Sequence, residues 1–363
     1  MSKGTKRHAN VTGRDFTAGA RPRDAALTRE QTGLGMYARK TCTAVLCTAV
    51  FLWAGAAAAS PDRWQREWPQ TDFTKHSVDY AEIFSGGPPK DGIPAIDDPK
   101  FVAAAARNDD LAPTEPVVTV VIDGQAKGYP LNILMWHEIV NDELAGVPIT
   151  VTYCPLCNSA IVFDRRVGVQ VLDFGTTGKL RNSDLVMYDR QTESWWQQFL
   201  GEGIVGSYTG TQLKMLPVRV ESYARFQERF PDGLIQASPT NWGRSYGINP
   251  YAGYDGASRP FLYSGEFPDG IAPLAYVVAV GDEAWALDLL RTEGRIESGD
   301  LVLSWEPGQN SALDTSVIAM GRDIGNVVVQ RREGDEMVDA VHDLTFAVTF
   351  HAFTPGGTIH GVE

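Results

Sequence analysis

The stretch Pro148-Ile149-Thr150-Val151-Thr152-Tyr153-Cys154-Pro155-Leu156-Cys157-Asn158-Ser159-Ala160 returns, altered, as Asp300-Leu301-Val302-Leu303-Ser304-Trp305-Glu306-Pro307-Gly308-Gln309-Asn310-Ser311-Ala312, at a constant offset of 152 residues. The flanks recur as well. Val117-Val118-Thr119-Val120-Val121-Ile122-Asp123-Gly124 matches Tyr276-Val277-Val278-Ala279-Val280-Gly281-Asp282-Glu283 in kind, and Tyr223-Ala224-Arg225-Phe226 resembles Phe346-Ala347-Val348-Thr349-Phe350. The expected fold is α+β and strand-rich, with two degenerate copies of one unit forming a two-lobed protein. Glu306 and Gln309 replace Cys154 and Cys157 in the second copy. Thiolate chemistry therefore belongs to the first copy alone.

Around the cysteines the local patterns are mostly those of strands. Val117 to Ile122 is a β-branched run closed by Asp123-Gly124, a strand and turn. Leu131 to Leu144 places Leu131, Leu134, Met135, Ile139 and Val140 at helical spacing and predicts a helix. Ile149 to Tyr153, Ala160 to Phe163 and Val169 to Phe174 read as strands, and Gly175-Thr176-Thr177-Gly178 reads as a hairpin-type turn. The expected organisation is a leader at 1–35, a signal peptide at 36–59, an irregular arm at 60–116, the first unit at 117–239, a turn-rich linker at 240–273 and the degenerate unit at 274–363.

The apolar run from Thr41 to Ala59 follows Arg39-Lys40 and ends in Ala57-Ala58-Ala59-Ser60, the order of a secretory signal peptide. Its length also suits an uncleaved membrane anchor. Residues 1–35 are polar and without apolar period, and Met36 is the expected true start. Beyond residue 59 there are 23 Lys and Arg against 42 Asp and Glu, a formal charge of −19. Such an acidic chain argues against nucleic acid and anionic membrane surfaces as partners, and suits a periplasmic or extracellular protein.

Tyr153-Cys154-Pro155-Leu156-Cys157, Phe163-Asp164-Arg165, Asn182-Ser183-Asp184-Leu185-Val186-Met187-Tyr188-Asp189-Arg190 and Thr192-Glu193-Ser194-Trp195-Trp196 form a motif set. In it the chain resembles the prokaryotic exported-protein family catalogued as domain of unknown function 3179. The similarity runs from about Asp91 to the C-terminus. It implies an exported protein with a duplicated domain, and no established activity, so function has to come from the site.

Cys42 and Cys47 fall in the signal segment, which leaves Cys154 and Cys157 as the cysteines of the mature chain. A single C-x-x-C admits a metal half-site, a redox couple or a structural disulfide. One knuckle excludes a four-sulfur centre, so a metal must take further ligands from His, Met or carboxylates. His137 and Met187 are the candidates: with them the set is copper-like, and with a carboxylate it suits zinc. The export signal and the methionine tilt the choice towards copper. Asn182, Asp184, Asp189, Arg190, Trp195 and Trp196 are candidate pocket or supporting residues, with Asp184 or Asp189 as ligand or general base and the tryptophans as a stacking wall. No residue is assigned a catalytic role.

The rivals are a thiol–disulfide oxidoreductase and a noncatalytic binding or scaffold module with a structural disulfide. Against the first, Asn158 to Phe163 continues as a strand, so no helix N-terminus faces the pair. There is no phosphate-binding glycine loop, nucleophile elbow or His-Glu-x-x-His pair, and Asn158 stands where haem attachment needs His.

Overall fold

Val117 to Ile122 forms the centre of a strand, Pro116–Ile122, which turns at Asp123-Gly124 into Gln125–Pro130. The computed structural model that contains this hairpin describes residues 61–362. Strand accounts for 39% of the structure and helix for 15%, so the strand-rich α+β expectation holds. Five small sheets, of four or five strands each, stand in a propeller-like ring.

Two runs of the chain follow the same path. The hairpin Pro116–Ile122/Gln125–Pro130 leads into the helix Leu131–His137, then the hairpin Ile139–Leu144/Val147–Cys154 and the strand Ser159–Asp164. Later, Tyr276–Val280/Glu283–Ala286 leads into the helix Leu287–Glu293, the hairpin Arg295–Ser298/Leu301–Glu306 and the strand Asn326–Glu333. Each run closes by strand, helix and strand: Arg219–Ser222, Tyr223–Arg229, Leu234–Gln236 in one, and Asp343–Phe346, Ala347–Phe353, Thr358–His360 in the other. In both, the closing strands flank the first hairpin, one antiparallel and one parallel.

The runs differ in one large respect. In the second, Gly334-Asp335 joins Asn326–Glu333 to Glu336–Asp339 directly. In the first, residues 165–213 intervene between Ser159–Asp164 and Lys214–Leu216, and they supply four strands of an additional five-stranded sheet. The fifth strand, Ile83–Ser85, comes from the N-terminal arm.

Two separate lobes are not what the packing gives. Val118, Leu134 and Val151 of the first run and Val278, Leu290 and Leu303 of the second belong to one buried cluster, and residues 61–362 lie within one compact unit. Each sheet is too small to cover its own apolar face, so the two runs cover each other.

Three local expectations change. The helix from Leu131 stops at His137, because Glu138 takes a left-handed conformation (φ 57°) and the β-branched Ile139-Val140 enter a strand. Gly175 to Gly178 lies inside the strand Phe174–Arg181 as a bulge, and the true hairpin turn is Asn182-Ser183, both residues at positive φ (52° and 67°). The region expected as a strand from Val169 yields only the short Gln170–Val171 before Phe174. The leader, signal segment, Cys42 and Cys47 lie outside the described residues. Among the described residues no helix is long and apolar enough to cross a membrane.

Gly178 has φ +68°, and a Cβ added there would stand 1.9 Å from the Pro88 carbonyl oxygen. Gly124 has a similar φ of +75° but nothing within 4 Å of the same position. Gly178→Ala should therefore cost about 2–4 kcal/mol and Gly124→Ala about 1 kcal/mol, read from urea unfolding. Equal costs would show that the Pro88 contact yields freely.

Candidate metal centre

Cys154 ends the strand Val147–Cys154 and Ser159 opens the next, so Pro155-Leu156-Cys157-Asn158 is the turn between two antiparallel neighbours. Cys157 N donates to Cys154 O (3.2 Å), Asn158 N donates to Pro155 O (3.3 Å), and Asn158 takes a positive φ of 49°. The second run holds this turn from behind. Phe346 N (3.2 Å) and Thr345 Oγ1 (2.8 Å) donate to Cys157 O, and Asn158 Nδ2 donates to Leu344 O (2.8 Å).

The intervening sheet supplies the third group. Its Asn182-Ser183 hairpin brings the Ser183 carbonyl to 3.9 Å from Cys154 Sγ and 3.6 Å from Cys157 Sγ. Asp184 follows directly. Its Oδ2 accepts from Gln197 Nε2 (2.6 Å) and Phe199 N (3.0 Å), whereas its Oδ1 is buried with no hydrogen-bond partner. The two sulfurs and a carboxylate oxygen of Asp184 lie within 4.8 Å of one another, and all three residues are buried.

Burial pushes the Asp184 carboxyl up to about 6. Burial, reinforced by the charge of Asp184, takes Glu138 to about 8. Both thiols rise for the same first reason, Cys157 strongly, and Asp184, together with Glu138 at Cys154, adds a negative field. Such surroundings oppose a thiolate until a cation enters. They are the reverse of a helix N-terminus or lysine-rich setting that makes a cysteine reactive.

The family model described as "Protein of unknown function (DUF3179)" matches residues 90–357. The chain belongs to this family. No curated protein and no solved structure matches it.

Within this DUF3179 chain the other candidate residues separate. Both nitrogens of His137 are engaged, Nδ1 with Pro94 O (2.7 Å) and Nε2 with Tyr246 Oη (2.8 Å), so it has no lone pair left for a metal. Met187 lies in the same apolar cluster as the cysteines, its backbone between Thr176 and Trp196. Asn182 serves as a turn residue. Asp189 accepts from Thr192 N (2.7 Å) and Trp196 Nε1 (2.9 Å) and so closes a local turn. Arg190 pairs with Asp97 (2.6 Å) and not with Asp184 or Asp189. Trp195 packs among Trp64, Trp68 and Phe73, and Trp196 against Phe174 in the cysteine cluster, so the pair fills two cores and forms no stacking wall. Cys154 and Cys157 are free thiols, not a disulfide.

Glu138 is the residue that the sequence reading missed. No local signal marked it, because Glu138 sits inside the stretch Leu131 to Leu144 whose spacing reads as one helix.

The raised carboxyls have a consequence for stability. A group whose folded pKa exceeds its unfolded value contributes fully below the unfolded value, and that contribution is lost as pH rises through the folded one. For Asp184 the loss runs from about pH 4 to beyond 6. Buried His137 and half-buried His342, whose pKa values are lowered by desolvation, pull the other way, so the diagnostic is a difference. Metal-stripped wild type should lose more of its urea midpoint between pH 4.5 and pH 7.5 than Asp184→Asn does. Parallel profiles would show that Asp184 does not titrate in this range.

Proposed function

We propose that this is an exported metal-binding protein that holds one zinc-type divalent ion through Cys154, Cys157 and Asp184. One observation carries the reading: three buried donor groups lie within 4.8 Å, and one offers an oxygen with no other partner. A divalent ion would supply the positive charge that the thiols and the carboxyl lack, which favours their deprotonated forms. Two sulfurs with a carboxylate oxygen make a borderline donor set, better suited to zinc than to copper(I). The sequence preference for copper rested on the export signal and Met187; the other ligand of that copper-like set, His137, has both nitrogens taken. Export rests on the apolar segment at 36–59.

The site is read as the product of a duplication in which one copy gained it. Tyr153 N donates to Glu138 O (2.8 Å) just as Trp305 N donates to Gly294 O (2.9 Å), and Glu138 and Gly294 both follow a seven-residue helix with positive φ. On this alignment Cys154 and Cys157 correspond to Glu306 and Gln309. The unit boundaries are then close to 117–239 and 274–363.

The test is metal content by mass spectrometry on protein from zinc-supplemented cells, with cadmium substitution to reveal a thiolate charge-transfer band. One metal per chain is expected, lost in Cys154→Ser and in Cys157→Ser, with affinity at least about tenfold lower in Asp184→Asn. A metal-free protein, or a metal indifferent to all three changes, overturns the reading.

A further inference from the structure

Glu138 violates several local rules at once. It takes φ 57° at a helix C-terminus, a place that favours glycine, and in the second run the same place is held by Gly294. A negative side chain at a helix C-terminus is also unfavourable. The residue is buried, with 7% exposure, and no hydrogen bond reaches its carboxyl among the described residues. Such a combination marks a position kept for something other than stability.

Glu138 lines a cavity of about 560 Å³. Leu156 and Leu185, chain neighbours of Cys157 and Asp184, line it too, while the cysteines and Asp184 do not. A further wall comes from the 240–273 segment, through Tyr251, Tyr254 and Phe261. That wall is fastened: Ser183 Oγ donates to Phe261 O, and Phe261 N donates to Tyr254 Oη (3.1 Å). Tyr251 and Glu138 line the same cavity.

Two basic residues also line the cavity, and neither neutralises Glu138. Lys179 Nζ is held by Glu67 at 3.2 Å, and the Arg259 guanidinium lies over the Phe267 ring, 5.1 Å from its centroid. Burial keeps the Glu138 carboxyl mostly protonated at neutral pH, but a cationic amine beside it, among tyrosine and phenylalanine rings and apolar walls, favours the carboxylate and forms an ion pair with it.

We infer that this cavity binds a primary or secondary amine carried on an apolar body, with Glu138 as its counter-ion. The inference goes beyond the metal reading and does not rest on it.

The experiment compares three probes with the same ring, phenethylamine, 2-phenylethanol and phenylacetate, by calorimetry and thermal shift on the full-length protein. Phenethylamine is expected to bind saturably, and the neutral and anionic probes at least about tenfold more weakly. Glu138→Gly is the decisive variant. It relieves the left-handed residue and should raise Tm by about 2 °C, so its loss of phenethylamine binding cannot come from misfolding. Equal binding of all three probes, no binding of phenethylamine, or unchanged binding in Glu138→Gly each overturns the inference. Cys154→Ser keeps the two readings apart. It should lose metal and retain phenethylamine, and loss of both overturns the independence of the cavity.

Discussion

Two thiols and a carboxyl, all buried, lie within 4.8 Å of one another, and the charges that act on the thiols are negative. Ionising any of them in such a place without a cation costs several kcal/mol. The surrounding structure is what makes this tolerable. One oxygen of Asp184 is satisfied by Gln197 and Phe199, so only the other faces an unfilled demand. The turn that carries the sulfurs is gripped through its own backbone by residues 344–346. Because these supports come from two separate parts of the chain, the donor groups are held close together.

The intervening residues 165–213 explain why only one run carries such a site. Where the second run passes through Gly334-Asp335, the first builds a sheet whose Asn182-Ser183 hairpin reaches the cysteine turn. That sheet has an aromatic core of its own, with Trp68, Tyr188 and Trp195 buried together and Lys90 and Lys179 over the Trp68 ring. The packing keeps the hairpin stiff. A loop of the same length without that core would not fix Asp184 against two sulfurs.

Where one physical cause dominated, the sequence was readable. Val117 to Ile122 reads as a strand and is one, buried as far as Val120, and after Asp184 alternate residues enter two cores, Val186 and Tyr188 one, Leu185 and Met187 the other. The cysteine turn was visible because strand patterns bracket it. What was not readable depended on long-range pairing. Ile139 and Val140 fit a helix by spacing, yet strand partners at Thr152 and Val151 claimed them. Gly175 to Gly178 carried turn chemistry, but the approach of Pro88 made it a bulge. Asp184 was named for its neighbours in sequence, while its nearness to the cysteines lies in the fold. Nothing local set Glu138 apart from an ordinary surface carboxylate.

The backbone clamp on Cys157 also orders events in time. Its carbonyl is held by Thr345, 188 residues further along the chain, and by the adjoining Phe346. While the polypeptide is being made, the turn exists for most of synthesis without the strand that shapes it. The ribosome must pass residue 346 before the two sulfurs can be set in their final places. Any ion that enters does so as a late step, after the whole body of the protein has emerged, and a chain cut short before that strand would carry both cysteines and no finished centre.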